Sequence, residues 1–362
     1  MTPLSGIGGA VDSTFDLLTL SLLPGVTPRV ARELALRASL ADALARPDDH
    51  ADLVGPAARA LLRTGEARRR AQDELRAVAA LGARLIGRDE PDYPHLLRHV
   101  YDPPPVLYLL GDVAEGEDGH SVAVIGSRAA TPQGATLARD MARQLAAAGL
   151  TIVSGLARGI DTAAHQGALE GGGRTLAILG SGLDRLYPVD NARLARAVAG
   201  QGAVVTEFPL GTTPLPGHFP RRNRIIAGWG RAVVVVEAAQ RSGALVTARC
   251  ALEEGREVMA VPGHPSAPGS AGTNALIRDG ALLVRGAADV AEALGVTLAA
   301  TEGGTDEAAD PVFAALRTDA PRSVEDVQRR SGRSASEVLG RLTELELASR
   351  VRRLPGALFV RA

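Results

Sequence analysis

The pattern of hydrophobic and polar positions divides the chain into three parts. From Val122 to about Val284, short apolar and largely β-branched runs alternate with helix-length segments: VAVIG, TIVSG, TLAILG, AVVTEF, AVVVVEA, EVMAVPG and ALLV. Runs that are apolar at consecutive positions mark strands buried on both faces, and their alternation with helices predicts a parallel sheet covered on both sides. Two further runs, ARLIG and VLYLL, lie just upstream. The expected fold class is therefore α/β, with an extended Rossmann-like sheet over residues 83–298.

The flanks follow other periods. Residues 10–82 carry Leu, Ala and Arg at helical spacing, broken at LLPGVTPR, ARPDDH and RTGEA, which predicts a domain of short helices. Within it, a Pro24-Gly25 turn joins two helices, the second capped by Thr27 with Pro28 at its first position. Such a unit either presents N–H groups to a DNA phosphate or is an ordinary helical hairpin. The EGEDGH stretch before Ser121 reads as a surface turn. Residues 299–310, with four acids and no base, read as a linker. Residues 311–362 give three helices, the second capped by Ser323 and the third starting at Ser334, and two strands around Pro355-Gly356. That is a winged-helix pattern. Its recognition helix carries Arg333 and Arg341 with two glutamates, so it suits either DNA or a protein partner.

The candidate chemistry lies where strands of the central sheet end. Gly126-Ser127-Arg128 follows the first run and precedes a helix starting near Thr131-Pro132. Ser154 to Asp161 (SGLARGID) follows the second and carries Arg158 and Gly159. In a parallel sheet such turns line up at the carboxyl edge, beside helix N-termini whose free N–H groups attract anions. Two on neighbouring strands make an anion-binding ledge with two guanidinium groups. Asp161 and His165, four apart on the next helix, bond each other or cap it. A third turn, Gly180-Ser181-Gly182, resembles a phosphate loop, but Arg185 stands where a dinucleotide site needs its third glycine. His218-Phe219-Pro220-Arg221-Arg222-Asn223-Arg224 interleaves an aromatic with arginines, as a site for single-stranded nucleic acid does, or forms a helix N-terminus with ion pairs to its neighbours. Ser242-Gly243 offers one more capped helix start on the same edge. Trp229 is expected in the core or at a dimer interface.

Composition narrows the ligand. The chain has 362 residues and no lysine, so its 40 basic residues are all arginine. Without lysine there is neither a P-loop nor a Schiff base. A net charge of −1 gives no global pull toward polyanions, so any nucleic-acid site rests on the local placement of arginines. The single cysteine, Cys250, forms no internal disulfide and no cysteine-cluster metal site. No apolar run is long enough to span a membrane and no signal sequence is evident, so a cytoplasmic, membrane-free protein is expected. Neither HExxH, a GxSxG elbow nor a Cys–His pair occurs, and Glu207 and Glu237 end strands without an evident partner. A binding protein without cofactor or metal fits better than an enzyme. The competing reading is a Rossmann-like nucleotide hydrolase of the nucleoside-monophosphate phosphoribohydrolase kind, whose GGxGTxxE block is matched only as far as AGTNAL at 271–276, without the glutamate.

Seven ordered blocks over about residues 91–285 carry a family resemblance. They are PDYPHLL…DPPPVLYLLG, VAVIGSRAAT, GLTIVSGLARGIDTAAHQGAL, LGSGLDRLYP, TEFPLG…FPRRNRIIAG, SGALVTARCALEEGREVMAVPG and GTNALIRDGA. Together they resemble the bacterial DNA-processing protein A (DprA, or Smf) family. The resemblance implies an N-terminal sterile-alpha-motif-like helical domain, a Rossmann-like core and often a C-terminal winged helix. It implies a dimer that binds single-stranded DNA and loads a RecA-type recombinase during natural transformation. It also implies DNA contacts by the GSR arginine and by the basic residue of SGLAxGID, here Arg128 and Arg158, and extends them to Arg221, Asn223 and Arg224. The Arg158 position is often lysine in relatives; arginine keeps the charge and adds a planar fork.

Overall fold

The computed structural model describes residues 8–114, 116–298, 310–318, 320–347 and 350–361, which fall into two compact units, one before and one after the 299/300 division of the chain. The expected linker lies outside the described residues except for Asp310, which caps the helix Pro311–Ala314.

The first unit is built on nine strands, β1 (Arg84–Gly87), β2 (Val106–Gly111), β3 (Ser121–Ile125), β4 (Thr151–Ser154), β5 (Thr175–Ile178), β6 (Ala203–Thr206), β7 (Ala232–Val235), β8 (Glu257–Ala260) and β9 (Leu282–Leu283). They form one sheet in the order β1-β2-β6-β5-β4-β3-β7-β8-β9. Seven strands are parallel, as the apolar runs predict, but β2 pairs antiparallel with both β1 and β6. Continuous apolar character reports burial on both faces and not direction, so VLYLL reads like the other strands while running the other way.

Side chains alternate across the sheet, and both faces are covered. Ala123, Ile125, Val233 and Val235 pack against Ile225, Ile226 and Trp229 of the helix His218–Trp229 and against Ala244, Ala248 and Ala251 of the helix Gly243–Glu253. On the other face Val122, Val124, Ile152 and Val234 meet the helices Pro132–Ala147 and Ile160–Glu170. Trp229 is fully buried, so of its two expected places it takes the core. Leu17, Leu18, Ala71 and Val78 of the N-terminal helices share a third cluster with Val106, Tyr108 and Val204. The helical segment therefore packs on the β2–β6 end of the sheet, and residues 10–82 are one compact unit with the core. Thr27 caps the helix Pro28–Arg37 as expected, its hydroxyl accepting from Val30 N at 3.3 Å. The EGEDGH stretch departs from a surface turn in one respect: Asp118 is buried and accepts from the Leu96 N–H, because a carboxylate there satisfies the free amides of the helix His95–Arg98.

The second unit carries the helices Pro311–Ala314, Val324–Ser331 and Ala335–Leu347, with strands Val351–Leu354 and Leu358–Arg361 pairing antiparallel as the wing. Its core holds Val312, Leu316, Val327, Val338, Leu342 and Phe359.

Candidate nucleic-acid interface

The strand order turns at β3: β4, β5 and β6 extend to one side and β7, β8 and β9 to the other. Ligands of open α/β sheets bind in the crevice outside the carboxyl ends of the strands at such a switch point. The GSR turn leaves β3, SGLARGID leaves its neighbour β4, and the segment ending in Arg241-Ser242-Gly243 leaves β7 on the other side. A cleft of about 780 Å³ opens between the β3 and β7 turns, lined by Ser127, Arg128, Arg222, Asn223, Arg241 and Ser242 among others. A smaller cleft of about 280 Å³ adjoins it between the β3 and β4 turns, and Arg128, Tyr187, Phe219 and Arg222 line both.

Backbone bonds hold these turns together. Ser127 N donates to Glu237 O at 2.7 Å and Ile160 N donates to Ser127 O at 3.1 Å, so the GSR turn is tied to both neighbours. Gly159 has φ +77°, and a Cβ there would stand 2.2 Å from Ser127 O. A Cβ on Gly126 would stand 2.8 Å from Glu237 O. Both glycines are thus needed for two backbones to touch. Glu237, which had no evident partner in the sequence, accepts from Thr131 N and Oγ1 at 2.9 and 3.1 Å, and Thr131 caps the helix Pro132–Ala147.

Arg128 is exposed, with its guanidinium 5.1 Å from the centroid of the Phe219 ring. Arg158 is exposed too, and its guanidinium bonds Asp190 at 2.5 Å. Asp190 is therefore the carboxylate with which any anion approaching Arg158 would compete.

Of the two readings of the FPRRNR segment, the structure shows the helix N-terminus, the start of the helix His218–Trp229; Pro220 is tolerated because the first-turn N–H groups have no intrahelical acceptor. Its arginines separate. Arg221 and Arg224 turn to the Glu207 carboxylate, at 2.9 and 2.6 Å, whose side chain is 1% exposed. They do not line the clefts. Arg222 does, from below: it is 4% exposed, donates to Gly155 O at 3.2 Å, and burial pulls its pKa down to about 10. Asn223 lines the larger cleft and reaches Gly243 O at 3.5 Å; Ser242 caps the helix Gly243–Glu253 through Ala244 N.

Asp161 and His165 do not bond each other. The Asp161 carboxylate accepts from Gly155 N and Ala157 N, at 3.2 and 3.3 Å, because the turn folds back over the first helical residues. Burial raises its pKa above the ordinary carboxyl range, against the pull of Arg222. His165 lies 2.7 Å from Thr175 Oγ1, whose own proton goes to Ile152 O, so His165 donates through Nδ1 and leaves Nε2 bare. Burial, aided by Arg222, drives its pKa down to about 3. The Gly180-Ser181-Gly182 turn is buried, with Phe219 over Gly180, so it is closed to a phosphate.

Arg241 and Tyr187 belong to the clefts without having stood out in the sequence. Arg241 follows its strand much as Arg128 does, a signal masked by three extra residues, since Arg128 stands three positions past β3 and Arg241 six past β7. In the winged helix, Arg341 pairs with Asp310 and Glu344, both at 2.7 Å, and Arg333 with Glu337 at 3.7 Å. Both arginines of the expected recognition surface are thus answered by acids.

Comparison with known proteins identifies the family of the fold. The model of the DNA recombination-mediator protein A family matches residues 84–295, and that of the DprA winged-helix domain matches residues 296–357. The chain is 43% identical to protein Smf of Escherichia coli over 284 residues, 75% of this chain and 76% of that protein. It is 46% identical to the DNA processing protein DprA of Streptococcus pneumoniae over 198 residues, 55% and 70% of the two chains. The X-ray structure of DNA processing protein A from Streptococcus pneumoniae superposes with a TM-score of 0.66 at 36% identity, over 77% of this chain and 97% of that one. A Helicobacter pylori DNA processing protein A structure, described for its single-stranded DNA binding mode, gives 0.53 at 28% identity, over 59% and 95%. The switch-point turns and their arginines lie inside the matched core, the winged helix follows it, and the chain belongs to the DNA recombination-mediator protein A family.

Proposed function

We propose that this protein binds single-stranded DNA along the carboxyl edge of its sheet and, as a cytoplasmic homodimer, delivers the strand to a RecA-type recombinase in transformation or repair. The observation that carries the reading is the pair of exposed guanidiniums, Arg128 and Arg158, on turns locked backbone to backbone at the switch point. Phosphates lie along these turns, held by the two arginines. Arg222 and Asn223 line the floor and far wall; Arg221 and Arg224 hold the helix in place through Glu207 and touch DNA little. The relatives' names and the printed subject of the Helicobacter pylori structure support the strand as the ligand. The winged helix, its recognition arginines paired with acids, suits a protein partner.

Fluorescence anisotropy with one labelled oligonucleotide, single-stranded or annealed, at 50 and 200 mM salt tests the reading. The single strand should bind more tightly, without marked sequence preference, and lose affinity steeply as salt rises. A duplex bound as tightly as the strand would overturn it. One corollary concerns Asp190. Because it already occupies Arg158, Asp190→Asn should tighten strand binding a few-fold, most visibly at low salt, as expected for removing an exposed competitor.

A further inference from the structure

Two histidines meet at the amino edge of the sheet, and neither lines the clefts. His95 and His99 are exposed, four residues apart on one side of a single helical turn, His95–Arg98, which His99 closes as its C-cap. Their Nε2 atoms stand 3.3 Å apart while the ring centroids stand 4.6 Å apart at 66°, so the rings converge through their Nε2 corners. The backbone beneath them is clamped. Leu96 N donates to the buried Asp118 carboxylate, and Leu96 O accepts from Arg256 Nη2 at 2.8 Å. Tyr101 N donates to the Glu254 carboxylate at 3.0 and 3.1 Å, and Leu97 and Val100 are buried in the core. Arg256 is the residue before β8, which places the turn at the edge opposite the arginine ledge. A helix of four residues does not hold itself, so these tertiary bonds fix the backbone that carries the two rings.

We propose that His95 and His99 form a two-nitrogen site for a divalent transition-metal ion, zinc first among them. Two nitrogens each 2.0–2.1 Å from a tetrahedral zinc ion stand about 3.3–3.4 Å apart, which is the separation here. Without a metal, two neutral imidazole nitrogens this close share a proton, carried by one Nε2 and accepted by the other. Zinc takes the place of that proton: both rings then hold their proton on Nδ1 and turn an Nε2 lone pair on the metal, with none lost to solvent. Nitrogen donors select zinc, copper or nickel over magnesium and calcium, which take oxygen. Among the described residues no third histidine, cysteine or carboxylate completes the group, so water fills the remaining positions. Leu96 stands where the HExxH motif carries its glutamate base, so an ion held here is structural. It ties together the two ends of the turn ahead of Tyr101, whose ring has the Arg32 guanidinium 4.6 Å from its centroid. The bond thereby stiffens the junction between the N-terminal helices and the sheet.

Isothermal titration of the full, tag-free chain with zinc chloride at neutral pH, in a buffer that does not bind zinc, tests the site. Wild type should take up one ion per chain. His95→Ala and His99→Ala should each weaken binding by at least about tenfold, since losing even an outer-shell partner of a metal costs roughly 10- to 100-fold. His264→Ala removes another exposed histidine and should bind as wild type does, and magnesium chloride should give no binding heat. No zinc uptake by wild type, or uptake undiminished in either single variant, would overturn the proposal. Equal loss in His264→Ala would overturn it too, by placing the ion elsewhere. Both side chains are exposed, and urea midpoints unchanged in the presence of chelator confirm that the variants remain folded.

Discussion

Alanine at both Arg128 and Arg158 should cut affinity for a single-stranded oligonucleotide by about 100-fold at 50 mM salt, about tenfold for each lost phosphate contact. The two losses should be unequal. Among the described residues Arg128 has no carboxylate to leave behind, and it stands over Phe219, whereas Arg158 would give up Asp190 to take a phosphate, so Arg128→Ala should be the more damaging single change. The sharper signature is in salt. Each strand phosphate neutralised contributes about 0.7 to the slope of log K against log salt, so the double variant's line should be shallower by about 1.4. Arg158→Lys should stay near wild type, since the point charge survives and only the fork geometry is lost. Both side chains are exposed, so the variants should unfold as wild type does, and anisotropy over 50 to 200 mM salt reads DNA binding alone. An unchanged slope would place the phosphates elsewhere, with Arg241 the first alternative on the same edge.

The ledge of two arginines was legible in the sequence because it depends on local grammar. An apolar run, a glycine-bearing turn and a capped helix each follow from near neighbours, and parallel strands bring such turns to one edge. What governs the rest is long-range. Arg221, Arg222, Asn223 and Arg224 are consecutive, and no local rule assigns two of them to Glu207, fourteen and seventeen residues upstream, and one to Gly155, sixty-seven residues away. The helix sets this division: successive side chains point about 100° apart, so positions 221 and 224 share a face that 222 does not. Asp161 and His165 share a helix face by the same rule, yet both are taken by nearer partners, the folded-back turn and Thr175. The direction of β2 was invisible for a different reason, since burial on both faces is the same whichever way a strand runs.

The floor of the site joins fold to function, and removing its one cation should be costly. Gly155 is gripped from both sides: its N–H goes to Asp161, its carbonyl accepts from Arg222, and a Cβ there would stand 1.7 Å from Arg222 Nη1. Arg222→Met should destabilise the protein by about 3 kcal/mol at neutral pH. That is the low end of the cost of leaving a buried carboxyl without its nearby cation, because Asp161 keeps its backbone donors. The pH dependence distinguishes charge from packing. Asp161 already has a pKa above its unfolded value, and losing Arg222 raises it further. A carboxyl raised in the folded state binds its proton more readily there, so its penalty is absent at low pH and grows as pH rises through the folded pKa. His165 acts in the same sense. Its folded pKa of about 3, against an unfolded 6.5, costs wild type stability as pH falls from 6.5 toward 3, and removing Arg222 relieves part of that cost. The gap between wild type and Arg222→Met should therefore be widest at neutral pH and above and narrow as pH falls, measured by urea unfolding from pH 8 downward. A gap that stays constant would mean that Arg222 supports the floor by its bulk, and that its charge has no part in holding the two turns in register.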